Sequence, residues 1–446
     1  MPSRKISVTT VGMISGLESS KMSWGSEHSN DKLTPQEVKR SNCLVSALRP
    51  LLLSMSLVGL FDIWKIQKYG QEPRAHRRAF FKLYQIFIIC LFVFNLIRFF
   101  FAFQSFEFGS ELLATVLLQT WFMLCTSYAL ICYKMIENPT ALIRFFTQWQ
   151  KYWSLVRDLT GECSKEQACS WKRIRKYASV ATVIGWSIVI GNVGFCSYTI
   201  ITGTAFTNML DPFSRSHYLF PLTLSIFHVI ILYLSCAWSF ITAFMIVLIL
   251  SLYQEFKHFA ERLENLTHDK PIPEVQENLE AMRVEHNALC NMIDTADGVL
   301  KHLVGLCLVV HVFITLILIY NICWYEVIRT DIGQLVSHIF WLSGNSSMLI
   351  AMMAVCCMVN IQAHEPAKFI HNLSMKEITA EFALQVNVFL HRLNGAPIGI
   401  TAWSLFVIDN QVVVSVAGMI ATYFVVLLQF QQASTTTNSS VNGTVV

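Results

Sequence analysis

Two helix-spaced rows of polar side chains interrupt a chain that is otherwise strongly apolar. In the last long apolar run, residues 411–430, Gln411, Ser415, Gly418, Thr422 and Gln429 recur at steps of four and three, with Val425 filling the one gap. A helix of roughly 20 residues at about 1.5 Å per residue covers a hydrocarbon core of about 30 Å, so these residues share one face along a full crossing. That face must meet water or protein, because lipid satisfies no polar group. Small and hydroxyl residues suit a helix contact, and the same row suits the wall of a pore.

The second row lies in the preceding apolar run, where Gln334, His338, Trp341 and Asn345 are spaced four, three and four. At similar depths other runs carry Gln119 and Trp121, Asn192 and Tyr198, His228 and Tyr233, and Tyr320, Asn321 and Trp324. Aromatic planes with a few amides and imidazoles make a pocket that can stack on a small molecule and hydrogen-bond it. Taken singly, each Trp or Tyr fits an interfacial belt as well. His228, His302 and His311 invite a proton relay, but no carboxylate shares their apolar surroundings; the nearest acids are Asp297 and Asp331 at the run ends. Neutral, hydrogen-bonded imidazoles are the expectation. Cys163 and Cys169 lack His or Cys neighbours at zinc spacing, so no metal site is predicted. There is no Gly-rich phosphate loop, no GxSxG elbow and no HExxH. An enzyme is not expected, and no cofactor is implied.

The elements that carry these rows follow from composition. Of 446 residues, 54% are hydrophobic and 14% charged, and 32 are Phe. These values lie outside the soluble range and indicate an all-α, multi-pass membrane protein. A net charge of +4 gives no reason to expect nucleic acid. The thirteen cysteines fall mostly in apolar stretches or on the side assigned below to the cytosol, and a reduced state is expected. Residues 1–43 read as a disordered cytoplasmic tail with no signal peptide. The apolar run 51–64 spans only about 21 Å as a helix, so it is read as interfacial or re-entrant, with Trp64 at the headgroup boundary.

Seven runs of spanning length follow, near 79–103, 111–133, 177–203, 218–250, 299–323, 334–359 and 409–430. The long loop after the second holds nine Lys and Arg residues, from Lys134 to Lys176, whereas the short loops after the first, third and fifth contribute only Arg215 and Arg329. The positive-inside rule then places the N-terminus in the cytosol and the C-terminus outside. The uncharged tail 431–446 carries the sequons at Asn438 and Asn442, as an extracellular tail would. Helix-like sequence continues beyond the spans at 251–266, 277–293 and 376–393, predicting a cytoplasmic domain of helical extensions. Its mixed charges, among them Glu255, Glu261, Glu280, Glu285, Lys257, Arg262 and Arg283, read as a solvated face with weak pairs.

Thr422 and Tyr423, five apolar residues, then Gln429 and Phe430 match the TYhhhhhQF signature of the invertebrate gustatory receptor family. The lead-in at Phe406, Ile408 and Asp409 is also similar, as is the layout of a short apolar helix before seven spans. The resemblance covers the chain beyond residue 45, with residues 44–430 as the channel-like domain. It implies a stimulus-gated, cation-permeable channel in the plasma membrane, built as a tetramer of identical or related subunits, the last helix of each lining a central pore. By position, Gln429 and Phe430 would form the gate at the outer mouth, with Thr422 and Tyr423 in the pore helix beside Ser415 and Gly418. An uncharged wall predicts poor discrimination among monovalent cations.

The ligand-binding set expected from these readings is Trp341, Asn345, His338, Gln334, Trp324, Trp121 and His228. The partners implied are a small-molecule stimulus, permeating cations, membrane lipid and sister subunits. A tastant is the first expectation for the stimulus. A nematode branch of the family is associated with light and peroxide, for which Trp324 and Trp341 would be the light-absorbing or redox candidates. A G-protein-coupled receptor is the alternative of a different class, but it needs the opposite orientation and has no DRY-like or NPxxY-like motif here. A transporter would call for repeats or broken helices that the sequence lacks.

Overall fold

The computed structural model describes residues 42–63, 75–100, 110–160, 163–202, 220–269, 271–373 and 379–442. The elements in chain order are α1 (Asn42–Ala47), α2 (Arg49–Leu57), α3 (Ala75–Phe100), α4 (Ser110–Glu137), α5 (Thr140–Thr160), α6 (Cys163–Thr202) and α7 (Phe220–Asp269). They continue with α8 (Ile272–Trp324), α9 (Glu326–Thr330), α10 (Ile332–His364), α11 (Pro366–His371), α12 (Ala380–Leu393), the strands β1 (Thr401–Ala402) and β2 (Phe406–Val407), and α13 (Asn410–Asn442). By length and composition α3, α4, α6, α7, α8 and α10 are each able to cross a membrane. The seventh apolar run lies in α13, which is 33 residues long. The protein is thus an all-α, multi-pass membrane protein.

The helical extensions take the form of one long hairpin. Helices α7 and α8 hold 50 and 53 residues. Each is thus about 75–80 Å long, more than twice a hydrocarbon core. They meet at Pro271, whose fixed φ starts α8. Thr379 caps α12 by accepting from the Phe382 backbone N–H at 3.2 Å.

Two features of this region depart from the sequence reading. The loop after the second span contains a 21-residue helix, α5, whose Phe145, Trp149, Tyr152 and Val156 are all buried. Together α5 and the early turns of α6 cover the hairpin. As a result Glu255 and Glu285, read above as solvated, are 1% exposed. Arg262 pairs with Glu285, which also accepts from the Tyr152 hydroxyl at 3.1 Å, and the Ser170 hydroxyl donates to Glu255 at 2.5 Å. Burial without such partners would be costly, so the ring of donors explains how the carboxylates are accommodated. Glu280 and Arg283 remain an exposed pair, as expected.

The short N-terminal helix lays one face on the bundle and leaves Leu53 and Leu57 exposed. It ends at Leu57, in a turn where Leu60 N–H bonds Met55 C=O and Gly59 N–H bonds Ser56 C=O. This closure needs a left-handed residue, and Gly59 supplies it at φ +71°. Leu51, Leu52 and Met55 are fully buried, and α2 packs against α6 and α7. Trp64 and the N-terminal tail through residue 41 lie outside the described residues.

A two-stranded hairpin, unannounced in the sequence, precedes α13, with Thr401 opposite Val407 and Ala402 opposite Phe406. Its turn holds Trp403 at φ 52° and Ser404 at φ 61°. That conformation costs about 1–3 kcal/mol for each non-glycine residue, so neighbours must hold it. Asp297 of α8 does so by accepting from the Thr401 N–H at 2.7 Å and from its hydroxyl at 2.9 Å. Trp403 N–H donates to the Lys301 carbonyl, and its ring lies where a side chain on Gly305 would sit. Asp409 then caps α13, accepting from Val412 N–H at 2.9 Å.

Candidate functional site

The polar row of α10 faces inward. Asn345 is 1% exposed and Gln334 and His338 are fully buried. Trp341 and Asn345 border a cavity of about 50 Å³ whose other walls come from α4 (Leu117, Leu118, Trp121), α6 (Asn192, Cys196), α7 (Trp238) and α8 (Ile314, Leu318). Three indoles meet here, with Trp121 and Trp238 edge to face at 6.4 Å. Trp341 donates to Asn192 Oδ1 at 2.8 Å, and Asn192 Nδ2 donates to the Ser235 hydroxyl at 2.7 Å. Asn345 Nδ2 donates both to the His311 carbonyl and to the Thr315 hydroxyl, each at 2.8 Å. Trp238 Nε1 donates to His311 Nε2 at 3.1 Å. His311 Nδ1 lies 2.9 Å from the Cys307 carbonyl and therefore carries the proton, so this imidazole is a neutral, satisfied core residue.

The remaining candidates sit around this centre. His338 stands edge-on to Trp341 at 5.1 Å, and Gln334 reaches Thr202 at 3.3 Å, which extends the α10 row one and two turns from the cavity. His228 bridges the Leu224 carbonyl and Ser197 away from the cavity walls. Trp324 pairs with Tyr320 at 5.0 Å near the end of α8, also outside them. The walls supplied by Trp238, Ile314 and Leu318 escaped sequence reasoning, because apolar residues within apolar helices give no contrast.

The α13 row does the opposite. Gln411, Ser415, Gly418, Thr422, Tyr423 and Gln429 are all exposed. The helix is held from another side, by Val413, Val416 and Ile420 seated on Leu308 and Val312 of α8 and Leu349 and Met353 of α10. The hydroxyls of Ser415 and Thr422 bond back to the Gln411 and Gly418 carbonyls of their own helix, at 2.7 and 2.8 Å. Among the described residues, therefore, no helix covers the row. Phe430, Asn438 and Asn442 belong to α13, which runs on past the end of the apolar stretch.

The cavity and the seat of α13 share two helices, α8 and α10. Ile314 and Asn345 face the cavity, while Val312 and Leu349, within about one turn of them, face α13. The hairpin clasped by Asp297 ties the start of α13 to α8 a second time, and Cys357 of α10 contacts Asn410 at 2.7 Å. A side-chain shift at the cavity is thus one layer of packing from the last helix.

The fold matches solved structures. The insect olfactory receptor OR5 from Machilis hrabei, in complex with eugenol, superposes with a TM-score of 0.66 at 14% identity, covering 87% of this chain and 99% of that one. A second structure of the same receptor gives 0.65 at the same identity and coverage. Comparison with curated proteins gives no match. The family model described as 7tm Chemosensory receptor matches residues 48–434, most of the chain and every element of the cavity and of the α13 seat. The chain therefore belongs to the 7tm chemosensory receptor family.

Proposed function

We propose that this chemosensory receptor is a stimulus-gated, non-selective cation channel of the plasma membrane, formed by four subunits around a shared axis. The observation that carries the reading is the bare polar face of α13, with Gln411, Ser415, Gly418 and Thr422 exposed while Val413, Val416 and Ile420 on the opposite side are seated on α8 and α10. One such helix cannot enclose water, but several related by rotation do. In this reading Gln429 and Phe430 form the gate, the N-terminus is cytoplasmic, and the tail bearing Asn438 and Asn442 is extracellular and glycosylated. A small molecule enters the indole-lined cavity, repositions α8 and α10, and moves α13 by differential affinity for the open and closed states. The related OR5, solved with eugenol, supports a small-molecule stimulus.

The test joins mass and current. Purified protein should run as a particle of about four times the 50.8 kDa chain. Oocytes expressing it should pass a stimulus-evoked current that reverses near zero with sodium outside and potassium inside. A monomeric particle, or surface-delivered protein silent to a panel of sugars, bitter compounds, small aromatics, peroxide and short-wavelength light, contradicts the reading. The convergence of Trp121, Trp238 and Trp341 on one cavity favours light as the second stimulus to try.

A further inference from the structure

One residue that borders the cavity keeps a hydrogen-bonding atom without a partner among the described residues. Asn345 Oδ1 is buried and has no hydrogen-bond partner among the described residues. The orientation of this amide is fixed by chemistry. The His311 carbonyl can only accept, and the Thr315 hydroxyl already donates to that same carbonyl at 2.8 Å. Both therefore require the NH₂ group, which leaves the oxygen on the opposite side. Gln119 and Asn321 also carry buried, unpartnered amide atoms, but neither lines this cavity.

The other polar groups of the wall are spoken for. Asn192 is engaged at both ends by Trp341 and Ser235, and Trp238 is committed to His311. The Cys196 thiol donates to Asn192 Oδ1 at 3.9 Å, and the rest is indole and aliphatic carbon. A sugar would bury many hydroxyls against walls that offer a single acceptor, which the cost of unmade hydrogen bonds forbids. A ring-bearing apolar body carrying one donor leaves neither side unpaired, stacks on the indoles and satisfies Asn345. At about 50 Å³ the cavity admits the donor end directly, and the half-buried Trp121 and Trp341 are the rings that must yield to the remainder.

We infer that the stimulus is an aromatic or similarly apolar small molecule with a single hydroxyl or N–H group, read by Asn345 Oδ1, and that Asn345 is the residue that selects donors over their capped analogues. This rests on the cavity being the stimulus site. The test uses a matched pair, 4-propylphenol and 4-propylanisole, which share ring and chain and differ by the O-methyl cap that removes the donor. The full-length protein in lipid nanodiscs is heated with increasing amounts of each, and the concentration giving a half-maximal rise in unfolding midpoint is read.

The phenol should act at a concentration at least about tenfold lower than the ether, as expected for one unmade buried hydrogen bond. In Asn345→Leu the two curves should coincide. Equal potency of the pair on the unaltered protein, with both effects lost in Trp341→Ala, would overturn the donor inference and leave the cavity reading standing. A phenol preference that persists in Asn345→Leu would overturn the assignment to this residue. A midpoint moved by neither compound would overturn both, and the contrast on the unaltered protein depends on no variant folding.

Discussion

Helices α10 and α13 carry polar rows of nearly the same spacing, and the fold treats them in opposite ways. Asn345, His338 and Gln334 on α10 are buried, and Asn345, Trp341 and Gln334 each bond a neighbouring helix. On α13, Ser415 and Thr422 bond back to their own helix and Gln411 and Gly418 are exposed. Periodicity states which residues share a face and is silent about what covers that face. The α10 row is enclosed within one subunit, whereas the α13 row is left exposed by it.

If that contrast is right, changing one row should alter conduction and changing the other should alter stability. The largest effect is expected from Ser415→Leu with Thr422→Leu. Evoked current should fall at least about tenfold, because apolar side chains on a pore wall favour dewetting. The unfolding free energy of the subunit should move by less than about 0.5 kcal/mol, as at other exposed positions. Wild-type currents in this double variant would break the comparison. Next, Asn192→Leu strands the Trp341 indole N–H inside the core and should cost about 1–3 kcal/mol, read as a lower unfolding midpoint of the purified protein. Smaller still, Trp238→Phe removes the donor to His311 while keeping an aromatic ring and should cost about 1 kcal/mol. If Asn192→Leu melted like the unaltered protein, the α10 side would be no better satisfied than α13, and the distinction would lapse.

The membrane helices were legible because 20-residue apolar runs have few alternatives, and both polar rows were legible because amides stand out among Val, Leu and Phe. Asn345, Trp341 and Trp121 were marked on those grounds and do border one cavity, while His228 and Trp324, marked for the same reasons, lie apart from it. Depth along a helix does not fix the direction of a side chain until its neighbours are known. Glu255 and Glu285 look solvated in any one-dimensional reading, since Tyr152, Ser170 and Arg262, which bury and bond them, are distant in sequence or mixed among other charges. The hairpin was invisible for a similar reason. Its turn has no Gly, Asn or Asp at Trp403 and Ser404, and its strained backbone is held by Asp297 and Gly305 of another helix.

The most direct test of the central claim, that α13 turns its polar face toward a hydrated axis, is reaction of introduced cysteines with a charged, membrane-impermeant thiol reagent during stimulation. Ser415→Cys, Gly418→Cys and Thr422→Cys should each be modified, with a change in current. Ile420→Cys, on the side seated against α8 and α10, should not. Modification of Ile420→Cys with none at positions 415, 418 and 422 would contradict the account.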